Sequence, residues 1–482
     1  MRVPTGVPVS FAYERSTSLV RGLRNAADPT VAAAIEHHVK RAADRELSRI
    51  NVLDFAARYG LDEERTVGAF LHGARLGLFD LYWNVLCPGC GGVLDSSATL
   101  KGVRREEYAC ALCAAGYEAT LDEMVEVVFT VNLRVRRIAA HDPDSLPFSE
   151  YMRQIFWSSG IDLPGNEAYE RLLDEIIIDN VELPAGDKAI LSLQLPGQFC
   201  IVFDPVTHSA RFLDVQGEAT REGQDLTVAM NKVQAPTGRV EMRPGPLRLV
   251  LENRTDRRVL PAVWIASHEM HGLLGKRKPF LTANRLLTNQ TFRDIYRTDT
   301  LDVDQRLKIT SLTFLFTDLK GSTDLYERVG DLVAYDLVRA HFKVLHEVVA
   351  SEAGAVVKTI GDAVMATFAT PDRAIAAALK MRDAMRTLNT QGKNEDLLLK
   401  IGMHEGPCLA VMLNDRLDYF GQTVNIAARV QGLAVSHSIF ATKPVIENRQ
   451  TAELLGAAGL TAVPQQALLR GVVDRYTVYE IP

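Results

Sequence analysis

AVVKTIGDAVMATF, residues 355–368, decides the reading of the C-terminal half. Two runs rich in β-branched and apolar residues flank Gly361-Asp362, a dipeptide that favours two-residue hairpin loops, so the stretch predicts a hairpin with Asp362 at its tip. Lys358 stands four positions earlier, where a core residue would be expected. Upstream, SLTFLFTDLKGST (311–323) reads as an apolar strand ending in Asp318, then a turn at Gly321-Ser322-Thr323. The long helix that follows is expected to place Leu332, Tyr335, Val338, Phe342, Leu345 and Val349 on one face. A carboxylate at a strand end can hold a divalent ion while free amides of the turn and helix start receive phosphate oxygens. Downstream, LLLKIGMHEGPCLAVML (397–413) reads as a further strand pair. RLDYFGQTVNIAARVQGLA (416–434) puts Asp418 in a loop and continues into a helix. On that helix Asn425 and Arg429, four apart, share a face within an apolar surround, a patch that calls for an anionic partner.

In order, SLTFLFTDLKGST, VVKTIGDAVMATF, DYFGQTVNIAARV and LLRGVVDRYTVYEI resemble a class III nucleotide cyclase catalytic domain of bacterial type. The resemblance implies an α+β fold with a ferredoxin-like βαββαβ core, and conversion of ATP to 3',5'-cyclic AMP and pyrophosphate. It assigns Asp318 and Asp362 to two Mg2+ or Mn2+ ions per active site, with the Leu319 carbonyl as an additional ligand. One ion would lower the pKa of the ribose 3'-hydroxyl, and the other would neutralise the triphosphate and the leaving pyrophosphate. Asn425 would orient the ribose and Arg429 would stabilise charge on the α-phosphate. Lys358 and Asp418 would read the base: adenine offers an acceptor at N1 and a donor at its amine, matching a lysine donor and an aspartate acceptor. A GTP-selective relative would carry Glu and a small residue such as Cys there. The family's sites form across a head-to-tail dimer, so a homodimer would have two complete sites, and Lys358 and Asp362 would serve different ones. Where the family commonly has a triphosphate-contacting lysine, this chain has Arg470. Guanylate cyclase activity and a non-catalytic nucleotide-binding or dimerisation module are the competing readings.

The front of the chain is read from its residues. At 482 residues it is long enough for about three domains. Apolar content of 47%, charged content of 24% and a net charge of −6 describe an ordinary globular protein without the basic field that would favour nucleic acid or an anionic membrane. Neither a signal peptide nor a membrane-length apolar run is present, so a cytoplasmic location is expected. Residues 28–82 read as helix, turn, helix with the break at Gly60. The acidic start of the second helix, DEERTV, would face DNA phosphates badly. Cys87, Cys90, Cys110 and Cys113 form two CxxC knuckles whose spacing suits a closed, structural Zn2+ site, a zinc ribbon over 87–113. Cys200 and Cys408 read as inert core thiols. SHEMHG resembles a zinc protease motif, but His268 and His271 are three apart and not four, which rules against it together with Glu269.

The expected organisation is a helical region with the ribbon over 1–122, a β-rich accessory module (sandwich or barrel-like) over 123–276, a connector over 277–309 and the catalytic domain over 310–482. Residues 30–310 also resemble the accessory region found upstream of such domains in a group of bacterial cyclases. Position alone makes this region a candidate regulator, with the connector setting the spacing of two catalytic domains.

Overall fold

The computed structural model describes residues 9–103, 107–231, 238–296, 301–302, 305–321, 327–392, 397–414, 416–434, 438–469 and 475–482. The chain divides into two compact units, Met1–Ala119 with Met124–Leu281, and Thr120–Glu123 with Thr282–Pro482. The first therefore contains the helical, cysteine-bearing and β-rich segments together, and the second contains most of the connector along with the catalytic segment.

In the first unit, helices Val9–Ala26, Pro29–Arg41, Val52–Tyr59 and Glu63–Leu76 open the fold. Asp28 caps the second by accepting from the Thr30 and Val31 amides, and Gly60, at φ 63°, ends the third in the left-handed region that glycine adopts without strain. Helix was expected to run to residue 82. It stops at Gly77, also left-handed, and Phe79–Leu86 is a strand in an antiparallel sheet between Val93–Ser97 and Val125–Val131. Phe79 faces Phe70, ring centroids 4.8 Å apart, so its core role is met from a strand.

The hairpin Glu107–Cys110 and Ala115–Glu118 brings the second cysteine pair to the first. The four sulfurs lie within 4.8 Å of one another, with Cys87–Cys113 and Cys90–Cys110 both at 3.7 Å. The β-rich stretch forms a five-stranded and a three-stranded sheet. Leu193, Leu247 and Leu249 of the smaller pack with Val202, Leu213 and Val263 of the larger in one core, a sandwich. His268 and Glu269 sit at the start of a short helix, and the exposed His271 ring nitrogen bonds the Ser267 carbonyl at 2.7 Å. Among the described residues the four cysteines are the one group of three or more Cys, His, Asp or Glu side chains close enough together to hold an ion.

The second unit begins with α1 (Ala283–Leu287) and α2 (Gln290–Ile295). There follow β1 (Leu307–Leu319), α3 (Asp331–Ser351), β2 (Gly354–Ile360), β3 (Ala363–Phe368), α4 (Pro371–Gly392) and β4 (Leu399–Leu413). Then come β5 (Arg416–Phe420), α5 (Gln422–Gln431), β6 (Ile439–Thr442), α6 (Lys443–Glu447), α7 (Arg449–Ala457), β7 (Val463–Leu468) and β8 (Arg475–Ile481). Sheet order is β2-β3-β1-β4-β6-β8-β7, with β5 paired to β4. The first four strands with α3 and α4 follow the βαββαβ order of a ferredoxin-like core, as expected.

Three expectations are corrected. The stretch 397–413 holds one long strand, β4, where a strand pair was expected. Pro407, which has no amide to donate, falls opposite the register shift between Ile309 and Leu312 of β1, where the ladder is interrupted anyway. Asp418 lies on the short strand β5, opposite Val411, and not in a loop. On α3, Leu332 and Tyr335 are 77% and 60% exposed, and the core side is taken by Ala334, Val338, His341, Leu345 and Val349. Both stripes keep three-and-four spacing, and the small Ala334 fills the first turn. Thr120–Glu123 completes the unit: the Leu121 amide donates to the Lys308 carbonyl, and the Asp122 carboxylate accepts from the Thr310 and Ser311 amides at 2.9 and 3.0 Å, closing the β1 bulge.

Helix α5 crosses β4 in close contact. A Cβ at Gly402 would fall 2.0 Å from the Gln431 backbone nitrogen. Gly402→Ala is therefore expected to push α5 away and lower unfolding free energy by about 1–3 kcal/mol in denaturant titration; an unchanged midpoint would show that the helix can shift freely.

Candidate active site

Asp318 ends the apolar part of β1, and its register partner across the sheet is Lys400 on β4, whose Nζ lies 4.0 Å from Asp318 Oδ2. Asp362 sits in the turn between β2 and β3, closed by the Ile360–Ala363 pair with Gly361 at φ 62°. The two carboxylates come together here. The Leu319 amide donates to Asp362 Oδ2 at 3.3 Å. Burial, and then the Asp362 charge, hold the Asp318 carboxyl above its ordinary pKa, partly offset by Lys400 and Gln431. Two like charges held this close call for a cation. Carboxylate oxygens are donors that suit a hard divalent ion. Lys400 and Gln431 were missed from sequence; only the strand register reveals the lysine.

A second polar pair lies on β2 and β5. Lys358 Nζ donates to Asp418 Oδ2 at 2.5 Å, with Asp418 buried and Lys358 half-buried. The other Asp418 oxygen accepts from the Tyr419 amide at 2.8 Å, which fixes the carboxylate. Among the described residues, no hydrogen bond or ion pair joins this pair to the Asp318–Asp362 pair. Asn425 is exposed and Arg429 half-buried on α5, with no side-chain hydrogen bond among the described residues. Thr423 holds the start of that helix by donating to the Pro407 carbonyl at 2.5 Å. Arg470 lies outside the described residues.

The connector helix α2 grips the strands that carry the second pair. Arg293 Nη2 donates to the Leu417 carbonyl at 2.7 Å, and its guanidinium lies 5.9 Å from the centre of the buried Tyr419 ring. Gln290 Oε1 accepts from the Val356 amide at 2.8 Å, beside the bulge that precedes Lys358. Nothing in the local pattern of QTFRDIY singles out these side chains, because their partners are backbone groups remote in sequence.

Comparison with known proteins adds the following. Residues 13–294 match a profile described as "Family of unknown function (DUF5939)", and residues 305–458 match "Adenylate and Guanylate cyclase catalytic domain". A stretch of 185 residues is 25% identical to an adenylate cyclase of Anabaena cylindrica, covering 35% of this chain and 36% of that protein. Another of 134 residues is 34% identical to adenylate cyclase 2 of Rhizobium meliloti (strain 1021), covering 25% of this chain and 36% of that protein. Retinal guanylyl cyclase 1 of Bos taurus is 28% identical over 175 residues, 33% of this chain and 15% of that protein. This chain thus spans no more than 36% of the length of these curated relatives. Among solved structures, the adenylyl cyclase CyaB from P. aeruginosa superposes with a TM-score of 0.33 at 20% identity, covering 37% of this chain and 96% of that one.

Removing the α2 grip tests its role. Arg293→Ala is expected to cost about 1.5–3 kcal/mol, the range for a hydrogen bond from a charged donor, and to speed amide exchange across 416–420. Arg293→Lys should restore little, since an ammonium cannot both reach the carbonyl and lie against the ring. Unaltered exchange in Arg293→Ala would remove this contact as the support of β5.

Proposed function

The chain belongs to the DUF5939 family and carries a class III cyclase catalytic domain, and on that premise we propose that it is an adenylate cyclase, converting ATP to 3',5'-cyclic AMP and pyrophosphate. The Lys358–Asp418 pair carries the substrate assignment. Its ammonium donor suits adenine N1 and its carboxylate acceptor suits the exocyclic amine, whereas guanine presents the reverse pattern. The guanylyl cyclase among the relatives makes GTP the second reading, and this pair argues against it. Lys358 is partly solvated and can turn to a base, while the buried Asp418 needs the amine of that base as a donor in its place.

In the reaction the ribose 3'-oxygen forms a bond to the α-phosphorus as the bond to the bridging oxygen of the β-phosphate breaks, and pyrophosphate leaves. Two Mg2+ or Mn2+ ions, when bound at Asp318, Asp362 and the Leu319 carbonyl, supply acidification of the 3'-hydroxyl and neutralisation of the triphosphate. Asn425 orients the ribose. Arg429 meets the charge that grows on the α-phosphate, a role suited to a group that makes no competing side-chain hydrogen bond among the described residues. Arg470 is proposed to contact the triphosphate. A domain that had lost catalysis would be free to lose an aspartate, the Asn or the Arg, and all are present here.

The two polar pairs serve different sites of a head-to-tail homodimer, with Asn425 and Arg429 acting beside Lys358 and Asp418. This reading is supported by exposed apolar side chains next to both pairs, Ile360 at 52% and Phe420 at 66%, and by Leu332 and Tyr335 on α3. A single chain leaves them uncovered, which marks a surface for another protein. The soluble substrate favours a cytoplasmic site of action; among the described residues no helix is long and apolar enough to cross a membrane. Residues 1–309 are proposed to regulate the dimer through the connector.

The cysteine cluster is proposed to bind structural Zn2+. A tetrahedral ion with sulfurs at ~2.3 Å sets them ~3.8 Å apart, and Cys87–Cys113 and Cys90–Cys110 both stand at 3.7 Å. With four thiolates no coordination position is left for chemistry.

The deciding assay measures cyclic nucleotide made by the purified chain from ATP and from GTP, in Mg2+ and in Mn2+. Product from ATP is expected, and Asp362→Asn should reduce it by about 10²–10³-fold or more. Lys358→Glu combined with Asp418→Cys should move preference toward GTP, and retention of ATP preference in that double variant would defeat the base-reading assignment. Atomic absorption should find one zinc per chain, lost in Cys90→Ser together with a lowered melting temperature; full activity and an unchanged melting curve in a metal-free cysteine variant would refute the structural role.

A further inference from the structure

A cavity of about 510 Å3 opens within the first unit, a volume in the range of small-molecule sites. Two unusual backbone features build its wall. Met152–Phe156 is a π-helix, a conformation concentrated at functional sites, and it supplies Arg153 and Gln154. Arg49 has φ 47°, the left-handed region that a side chain with a Cβ rarely adopts. That strained backbone directs the Arg49 guanidinium to the Ile155 carbonyl of the π-helix.

The lining charge is unbalanced. Arg45, Arg49, Arg58, Arg153 and Lys278 stand against Glu46 and Asp54. Arg58 and Lys278 use those two carboxylates: Arg58 lies 2.8 Å from Glu46 and 3.6 Å from Asp54, and Lys278 lies 3.4 Å from Asp54. Arg49 has the buried Glu126 nearby, whose oxygens already accept from Asn84 and Ser159. Arg153 is held by neutral groups, the Asn166 side chain at 3.2 Å, the Pro164 carbonyl at 3.1 Å and the Tyr169 ring. Arg45 and Arg153 form no ion pair among the described residues. The wall residue Ser158 is 4% exposed, and its buried hydroxyl has no partner among the described residues. Trp157, Phe55 and Ile161 supply apolar wall.

We infer that this cavity binds a small phosphate monoester with an apolar or aromatic body. Two unmatched guanidinium groups balance the charge of about −1.5 to −2 that such a phosphate carries at neutral pH. Their planar forks suit phosphate oxygens in pairs. The Ser158 hydroxyl is a further donor, and the apolar wall receives the organic part.

The full chain is to be probed with phenyl phosphate, inorganic phosphate and phenol, without added divalent cation and against sodium chloride at equal ionic strength. Phenyl phosphate is expected to raise the melting temperature above the salt control, more than inorganic phosphate does, while phenol has no effect. Amide exchange should slow across 152–165. Arg45→Gln with Arg153→Gln should weaken binding by about tenfold or more, the loss expected for charged hydrogen bonds, and Arg153→Lys should recover part of it. Absence of protection at 152–165 in the wild-type chain overturns the proposal, even if the double variant proves unstable. So does protection confined to 358–362 and 416–420, or equal binding by a folded double variant.

Discussion

Holding two carboxylates side by side at a half-buried sheet edge costs free energy, and the second unit is arranged around that cost. Burial and the neighbouring Asp362 charge both raise the proton affinity of Asp318, so the arrangement persists only because other groups fix it. The register of β1 against β4 places Lys400 across from Asp318. The tight β2–β3 turn brings Asp362 to the Leu319 amide. A slip of one residue in β1 would turn Asp318 to the opposite face and remove the pair. Sheet register, more than the sequence spacing of the two aspartates, makes the site.

What could be read beforehand follows from how local each cause is. The Gly361-Asp362 turn was legible because glycine supplies the positive φ at the turn itself. Asn425 and Arg429 share a helical face because their spacing requires it, and the cysteine cluster follows from two short knuckles. The missed features depend on distant partners. Leu332 and Tyr335 continue a helical stripe as well as Ala334 does, and only the position of the sheet below selects between them. Residues 397–413 read as two strands, yet β4 runs on through Pro407 because the proline meets a bulge in β1 whose open amides are taken by Asp122. Asp418 read as loop because its strand is short and its order comes from β4. Arg293 bonds a backbone carbonyl 124 residues away, and no pattern in its own segment announces that.

The two units solve the burial of charge differently. In the first, Glu126 is wholly buried yet accepts from Asn84 and Ser159, and desolvation raises its pKa above the ordinary carboxylate value. Such a group is tolerated because its oxygens are satisfied by neutral donors. In the second, the Lys358–Asp418 contact is an ion pair with one partner partly in water, which leaves it exchangeable.

The cyclase unit is discontinuous in sequence, since Thr120–Glu123 belongs to it while the residues on either side belong to the first unit. During synthesis Asp122 leaves the ribosome long before Thr310 and Ser311 exist, so β1 cannot close its bulge until a segment already made has been kept accessible. Gene fusion or excision at residue 282 would transfer the strands without that carboxylate. A chain cut at residue 282 would therefore keep every strand of the second unit and lose the carboxylate that closes the β1 bulge.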